Sequence, residues 1–143
     1  MKLPDANLLL YAYDTGSAHH RRARRWLEEV LSGTETVALA WVAVLAFVRL
    51  STSPRIFARA LTVDEALDCL TSWLAQPVVA IVHPTDRHPM ILRELLRSAG
   101  TGGNLTSDAH LAALAIEHRA ELCSADRDFG RFPGLSFVNP LPD

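Results

Sequence analysis

The chain has 143 residues, 49% hydrophobic, 7% aromatic and 21% charged, a balance that fits a globular domain and excludes collagen, coiled coil and extended disorder. Its 14 basic and 16 acidic side chains leave a formal charge of −2, so any contact with nucleic acid must rest on a local patch. At this length folding buries roughly two-thirds of the surface the unfolded chain exposes, enough for a core without metal or disulfide staples.

A short opening strand ends at Asp5, ahead of the apolar run Leu8-Leu9-Leu10-Tyr11-Ala12. Residues 18–32 place Ala23, Trp26, Leu27, Val30 and Leu31 three and four apart, with Arg21, Arg22, Arg24, Arg25, Glu28 and Glu29 opposite, which predicts an amphipathic helix. Val37-Ala38-Leu39-Ala40 reads as a strand, followed by an apolar helix over 41–50 that carries Arg49. Residues 62–75 form a second amphipathic helix with Thr62 as N-cap and Glu65 at the capping-box position. Val78–Val82 is a strand, and His88–Ala99 a helix closed by Gly100. Thr101-Gly102-Gly103-Asn104 is a loop. A helix beginning near Thr106 or Ser107 and running to His118 is apolar nearly all round, which predicts burial, with Asp108 in its first turn. Strands follow at Glu121–Ser124 and Leu135–Val138, with Asp126 and Asp128 after the first.

Strands alternating with helices argue for one α/β domain over residues 1–143 with a mainly parallel sheet. Trp41, Phe47, Trp73 and Leu74 are expected to fill its core, some of them instead lining a groove or a homodimer face. Cys69 and Cys123 stand 54 positions apart, outside zinc-ligand spacing, and point to a reducing compartment. Asp5 falls where a signal peptide would need an apolar run, and the longest apolar stretch, Val37 to Val48, is too short to span a membrane. A cytoplasmic protein is expected.

Parallel sheets bind ligands beyond the carboxyl ends of their strands. Asp5 ends a strand, Asp126 follows one, and Asp108 stands in the first turn of a helix, three element ends that would share the same edge of a parallel sheet. Singly, each has a plain structural account: Asp5 capping the segment from Asn7, Asp108 meeting a helix dipole, Asp126 and Asp128 closing a turn on their own backbone. Together, three carboxylates on one sheet edge repel, and a hard divalent cation removes that penalty. A carboxylate-held metal facing a phosphodiester suits hydrolysis of nucleic acid.

These residues resemble a known family. Asp5-x-Asn7, Thr106-Ser107-Asp108-Ala109-x-Leu111-Ala112-Ala113-x-Ala115 and Ser124-x-Asp126-x-Asp128-Phe129, in this order, look like the PIN-domain nucleases, specifically the VapC toxins of toxin–antitoxin pairs. The resemblance spans essentially the whole chain. It implies a PIN-like three-layer α/β/α fold and an endoribonuclease dependent on Mg²⁺ or Mn²⁺. The implied substrate is structured RNA such as tRNA or rRNA, and the implied partners are a VapB antitoxin and a second copy of the chain, with the helices over 41–50 and 62–75 as candidate surfaces. It further implies Asp5, Asp108 and Asp126 as metal-site carboxylates, Asp128 as an outer acid or turn residue, and Asn7 and Ser124 as orienting groups. The family's glutamate three residues before an arginine is replaced here by Ala46, ahead of Arg49. The alternative is therefore a catalytically weakened module that binds RNA or antitoxin without efficient cleavage.

His19-His20-Arg21-Arg22-Ala23-Arg24-Arg25 is the densest basic stretch, and Arg21, Arg25 and Arg49 are candidate RNA contacts. The competing account is a solvated helix face, with Arg21, Arg24 and Arg25 spaced to pair with Glu28 and Glu29. The six histidines show no metal-ligand spacing and carry no assigned catalysis; His110, two residues after Asp108 on a helix, points to another side. Phosphoryl transfer through an aspartate nucleophile is disfavoured, because Asp5-Ala6-Asn7 lacks the second acid of a DxD loop.

Overall fold

A computed structural model of the chain describes residues 1–141. Five short strands, β1 (Lys2–Pro4), β2 (Val37–Ala40), β3 (Val79–Val82), β4 (Glu121–Cys123) and β5 (Phe137–Val138), lie in the order β3-β2-β1-β4-β5, and every neighbouring pair is parallel. Parallel neighbours need long crossovers, which helices supply. Helices α1 (Ala6–Tyr13) and α2 (His20–Leu31) join β1 to β2, α3 (Trp41–Ser51) and α4 (Val63–Leu74) join β2 to β3, and α5 (His88–Ala99) and α6 (Thr106–Glu117) join β3 to β4.

The alternation of side chains along each strand divides the core into two layers. Leu3, Ala38, Ala40 and Leu122 pack with Ile91 and Leu95 of α5 and the alanines of α6. Leu39 and Cys123 face the other way, onto Leu8, Leu9, Leu27, Phe47, Leu70 and Trp73 from α1 to α4. The result is an α/β/α sandwich covered on both faces, which is why β2 is buried along its whole length. Ala38 and Ala40 opposite Ala109, Ala112, Ala113 and Ala115 are small enough to let α6 lie close to the sheet. Each fully buried large side chain, such as Phe47 or Leu122, stabilises the fold by about 1.5–3 kcal/mol.

Local signals set the helix ends. Thr62 Oγ1 accepts from Glu65 N at 3.1 Å and Glu65 Oε1 accepts from Thr62 N at 3.0 Å, the reciprocal pair expected from the spacing. Gly100 ends α5 with φ +79°, a conformation that a Cβ would strain. Of the arginine–glutamate pairings expected on α2, Arg24–Glu28 forms, at 3.0 Å.

Several expectations need correction. Trp41 and Leu74 are 44% and 42% exposed instead of filling the core. The buried stripe of α3 runs through Ala43, Val44, Phe47 and Ser51 and that of α4 through Ala66, Leu70 and Trp73, so the helical period carries Trp41 and Leu74 off it. The last strand covers only Phe137–Val138, because Leu135 N bonds to Phe132 O within the preceding turn instead of joining the ladder. Gly103–Leu105 forms a 3-10 turn inside the expected loop. Cys69 and Cys123 are free thiols, and burial pushes Cys123 up to about 12, so it stays protonated at neutral pH. Among the described residues no helix is long and apolar enough to cross a membrane.

Candidate active site

Strand order reverses between β1 and β4, which pair side by side while their attached helices lie in opposite layers, α1, which follows β1, on one and α6, which leads into β4, on the other. In parallel α/β sheets ligands bind at such a point, beyond the carboxyl ends of the strands. Asp5 is the first residue after β1, Ser124 the first after β4, and Asp108 lies in the first turn of α6.

Backbone geometry fixes Asp5. Its N–H donates to Cys123 O at 2.8 Å, which extends the β1–β4 ladder by one step, and its Oδ1 accepts from Ala6 N at 2.7 Å as the N-cap of α1. The capping account and the site account therefore hold together: one carboxylate oxygen holds the helix and the other faces β4. That second oxygen, Oδ2, accepts from the Ser124 hydroxyl at 2.8 Å.

Ser124 is fully buried, and its hydroxyl joins three groups. Its Oγ donates to Asp5 and accepts from Asn7 Nδ2 at 3.1 Å and from Asp126 N at 3.0 Å. Asn7 Oδ1 also accepts from Ala125 N at 3.4 Å, so one asparagine steadies both the serine and the turn after it. Asp126 caps the short 3-10 turn Arg127–Arg131 by accepting from Asp128 N at 2.9 Å. Asp108 has no hydrogen-bond donor among the described residues.

The carboxylates act on one another. Burial is the main reason the Asp108 carboxyl is pushed up to about 6; Asp5, Asp126 and Asp128 add to it, and Arg131 opposes it. Burial likewise raises Asp5, against the lowering effect of Ser124 and the Ala6 N–H, with Asp126 adding to the rise. The structure thus brings Asp5, Asp108 and Asp126 into one electrostatic unit, with Asn7 and Ser124 bonded into it and Asp128 at its rim. Among the described residues no group of three or more His, Cys, Asp or Glu side chains is placed to hold a metal ion as it stands.

Other candidates lie outside this unit. Arg21 and Arg25 are exposed on α2, and Arg49 is exposed in the last turn of α3, two turns from the end of β2. None of the three is among the charges that act on Asp108. Ala46 is half-buried in α3 and brings no polar atom.

Two features went unread in the sequence. Arg131 Nε donates to Asp128 O at 3.2 Å and its Nη2 lies 3.4 Å from Asp128 Oδ1, which holds a guanidinium in the field of Asp108. Its five-residue distance from Asp126 gave no periodic signal. The second is a buried network between α5 and α6. Glu117 Oε1 accepts from Thr85 N and Thr85 Oγ1, both at 2.6 Å, Glu117 Oε2 accepts from His88 Nδ1, and His88 Nε2 meets His110 Nδ1 at 2.9 Å. An acid at the far end of a helix whose middle is apolar was its sequence signal. His110 does point away from Asp108, as expected.

Comparison with known proteins agrees with this architecture. The PIN domain family matches residues 2–135. Ribonuclease VapC37 of Mycobacterium tuberculosis is 51% identical over 140 residues, 98% of this chain and 97% of that protein. Ribonuclease VapC33 of the same species is 41% identical over 141 residues, 99% of each. Among solved structures, VapBC2 from Rickettsia felis bound to a promoter DNA fragment aligns with TM-score 0.70 at 21% identity, covering 96% of this chain and 97% of that one. M. tuberculosis VapC20, described as a sarcin–ricin loop cleaving toxin, aligns with TM-score 0.68 at 18% identity, covering 95% and 99%. At those identities the structural likeness concerns the fold.

Proposed function

The chain belongs to the PIN-domain VapC ribonucleases, and from that premise we propose that Asp5, Asp108 and Asp126 hold a divalent cation at which phosphodiester bonds of a structured RNA, tRNA or rRNA, are hydrolysed. Residues 1–143 act as one domain in the cytoplasm, as the toxin of a VapB–VapC pair. A VapB-type antitoxin and a second copy of the chain are its protein partners. Exposed apolar side chains at Trp41, Leu45, Leu67 and Leu74 on α3 and α4 support a protein-covered surface.

The observation that carries this reading is the convergence of three aspartates from three separate elements: Asp108, pushed up to about 6 chiefly by burial, is raised further by the charges of Asp5 and Asp126. The chemistry of the donor set suits a hard cation: the groups that would hold it are carboxylates, and Asp108 has no competing hydrogen-bond donor among the described residues. Mg²⁺ or Mn²⁺ needs only one or two carboxylates, with water and substrate phosphate completing its shell. When bound, such an ion lowers the pKa of an attacking water and stabilises charge on the leaving oxygen.

The chain's own groups do the rest. Ser124, held by Asn7, fixes the Asp5 rotamer, so one oxygen stays committed to the helix cap while the carboxylate plane is aimed. Asp128 stands as the outer acid and, through its carbonyl and carboxylate, holds Arg131 where a substrate phosphate arrives.

Purified protein incubated with a panel of structured RNAs should cut only with Mg²⁺ or Mn²⁺, and Asp5→Asn or Asp108→Asn should abolish cutting; undiminished cleavage by those variants refutes the assignment. Ala46 supports a second reading, a PIN module that binds RNA or antitoxin but turns over poorly. That reading expects binding without cleavage, with Ala46→Glu increasing it; rapid wild-type turnover excludes it.

A further inference from the structure

An open cleft of about 720 Å³ runs along the outer face of α5 to the glycine-rich segment that follows it. Leu92 and Leu96 form its apolar floor, Arg93 and Arg97 its charged side, and Gly100 and Gly102 its far end. That end is continuous with the catalytic helix: a Cβ on Gly102 would sit 3.3 Å from Thr106 Oγ1, two residues before Asp108. The cleft therefore ends against Thr106, in the same first turn of α6 that carries Asp108.

The two arginines lack an internal explanation as a pair. They are four residues apart on one helix face, both exposed, and neither guanidinium has a carboxylate partner among the described residues. Like charges at that spacing disfavour a helix. Arg97, in the last turn, gains from the helix dipole; Arg93 does not. An elongated polyanion with apolar rings satisfies both walls at once, phosphates against the guanidiniums and bases against Leu92 and Leu96.

We propose that the α5 cleft is a binding subsite for a single RNA strand flanking the cleaved bond, with Arg93 and Arg97 on successive backbone phosphates and the Gly100–Gly102 segment admitting the strand to the acidic centre. This rests on the ribonuclease reading and adds to it the path of the substrate. Small residues at the junction let the strand's backbone approach, as larger ones would not.

Binding of a fluorescein-labelled 20-nucleotide oligouridylate and of bulk tRNA is measured by anisotropy across a salt series in the Asp108→Asn background, so that hydrolysis does not intervene. Arg93→Gln with Arg97→Gln should weaken binding of both RNAs by about tenfold at low salt and make the slope of log K against log salt shallower by about 1.4, the value for two lost single-strand phosphate contacts. Arg119→Gln, a charge loss just past the opposite end of α6, should leave both unchanged. Affinity and slope unchanged in the double variant overturn the proposal. So does a shift in sedimentation of the double variant with unchanged RNA affinity, which assigns the cleft to a second copy of the chain. A parent protein that binds neither RNA refutes the ribonuclease premise itself, an outcome distinct from failure of the cleft alone.

Discussion

The Ser124 hydroxyl donates to Asp5 Oδ2 at 2.8 Å, joining the residue after β4 to the residue after β1 across 119 positions of sequence. Because the same oxygen of Ser124 accepts from Asn7 and from Asp126 N, removing it loosens one aspartate's side chain and another's backbone together. Ser124→Ala is expected to lower activity and Mg²⁺ affinity by about 10–100-fold, the usual effect of losing a group that orients a ligand. Initial rates over a Mg²⁺ titration test this, and wild-type behaviour at every concentration contradicts it.

Asp108 links acidity, stability and metal. Its carboxyl, unperturbed near 3.8, stands at about 6 in the fold, so the folded state holds this proton more tightly than the unfolded state. In chelator-containing buffer, stability should therefore fall as pH rises from about 4 to about 6 and then level off. Asp108→Asn removes that fall. For a partly exposed group, after allowance for solvent screening, the gain at pH 7 is about 1 kcal/mol, or about 3 °C in Tm. A variant that is no more stable than wild type at pH 7 counts against the electrostatic account.

Added metal should act unequally on the two proteins. At a hundred times its Kd, Mg²⁺ stabilises the wild type by about 2.7 kcal/mol, while Asp108→Asn gains little. Differential scanning calorimetry with and without EDTA reads this directly; equal gains in both proteins place the ion elsewhere.

Arg131 lowers the Asp108 carboxyl toward its ionised form. Arg131→Gln should move the acidic limb of the pH–rate profile upward, so that activity drops more at pH 6 than at pH 8. A uniform loss at both pH values would assign Arg131 to substrate binding alone.

Glu117 tests the stability of the α5–α6 layer apart from catalysis. Burial pushes its carboxyl up, but hydrogen bonds from Thr85 and His88 outweigh burial and leave it below the usual range. Glu117→Ala strands the Thr85 and His88 donors and should cost about 3–5 kcal/mol in urea unfolding. Glu117→Gln should cost less and should lack the decline in stability expected of the wild type as acid protonates this depressed carboxyl. Equal unfolding midpoints for wild type and Glu117→Ala contradict the network's role.

How much of this was legible depended on the range of each interaction. Helix periods, the Thr62–Glu65 box and the Gly100 stop are set by residues within four positions of one another, and α4, α5 and β2 appear where those signals place them. The resemblance in the segments around Asp5, Asp108 and Asp126 was likewise readable, because it lies in short stretches of adjacent residues. Exposure of Trp41 and Leu74 was not, since hydrophobicity says that a side chain gains by burial but not which helix face meets the sheet.

The amino-acid order alone determined the helices and strands, their caps and the aspartates at their ends. Tertiary structure decided that β4 lies beside β1, which sets Ser124 against Asp5, brings Asp108 and Arg131 into one field, and closes His88 onto Glu117. The reason is physical: backbone hydrogen bonding and side-chain period act over a few residues, whereas strand order and Coulomb coupling join groups up to 119 residues apart that become neighbours only when the sheet assembles.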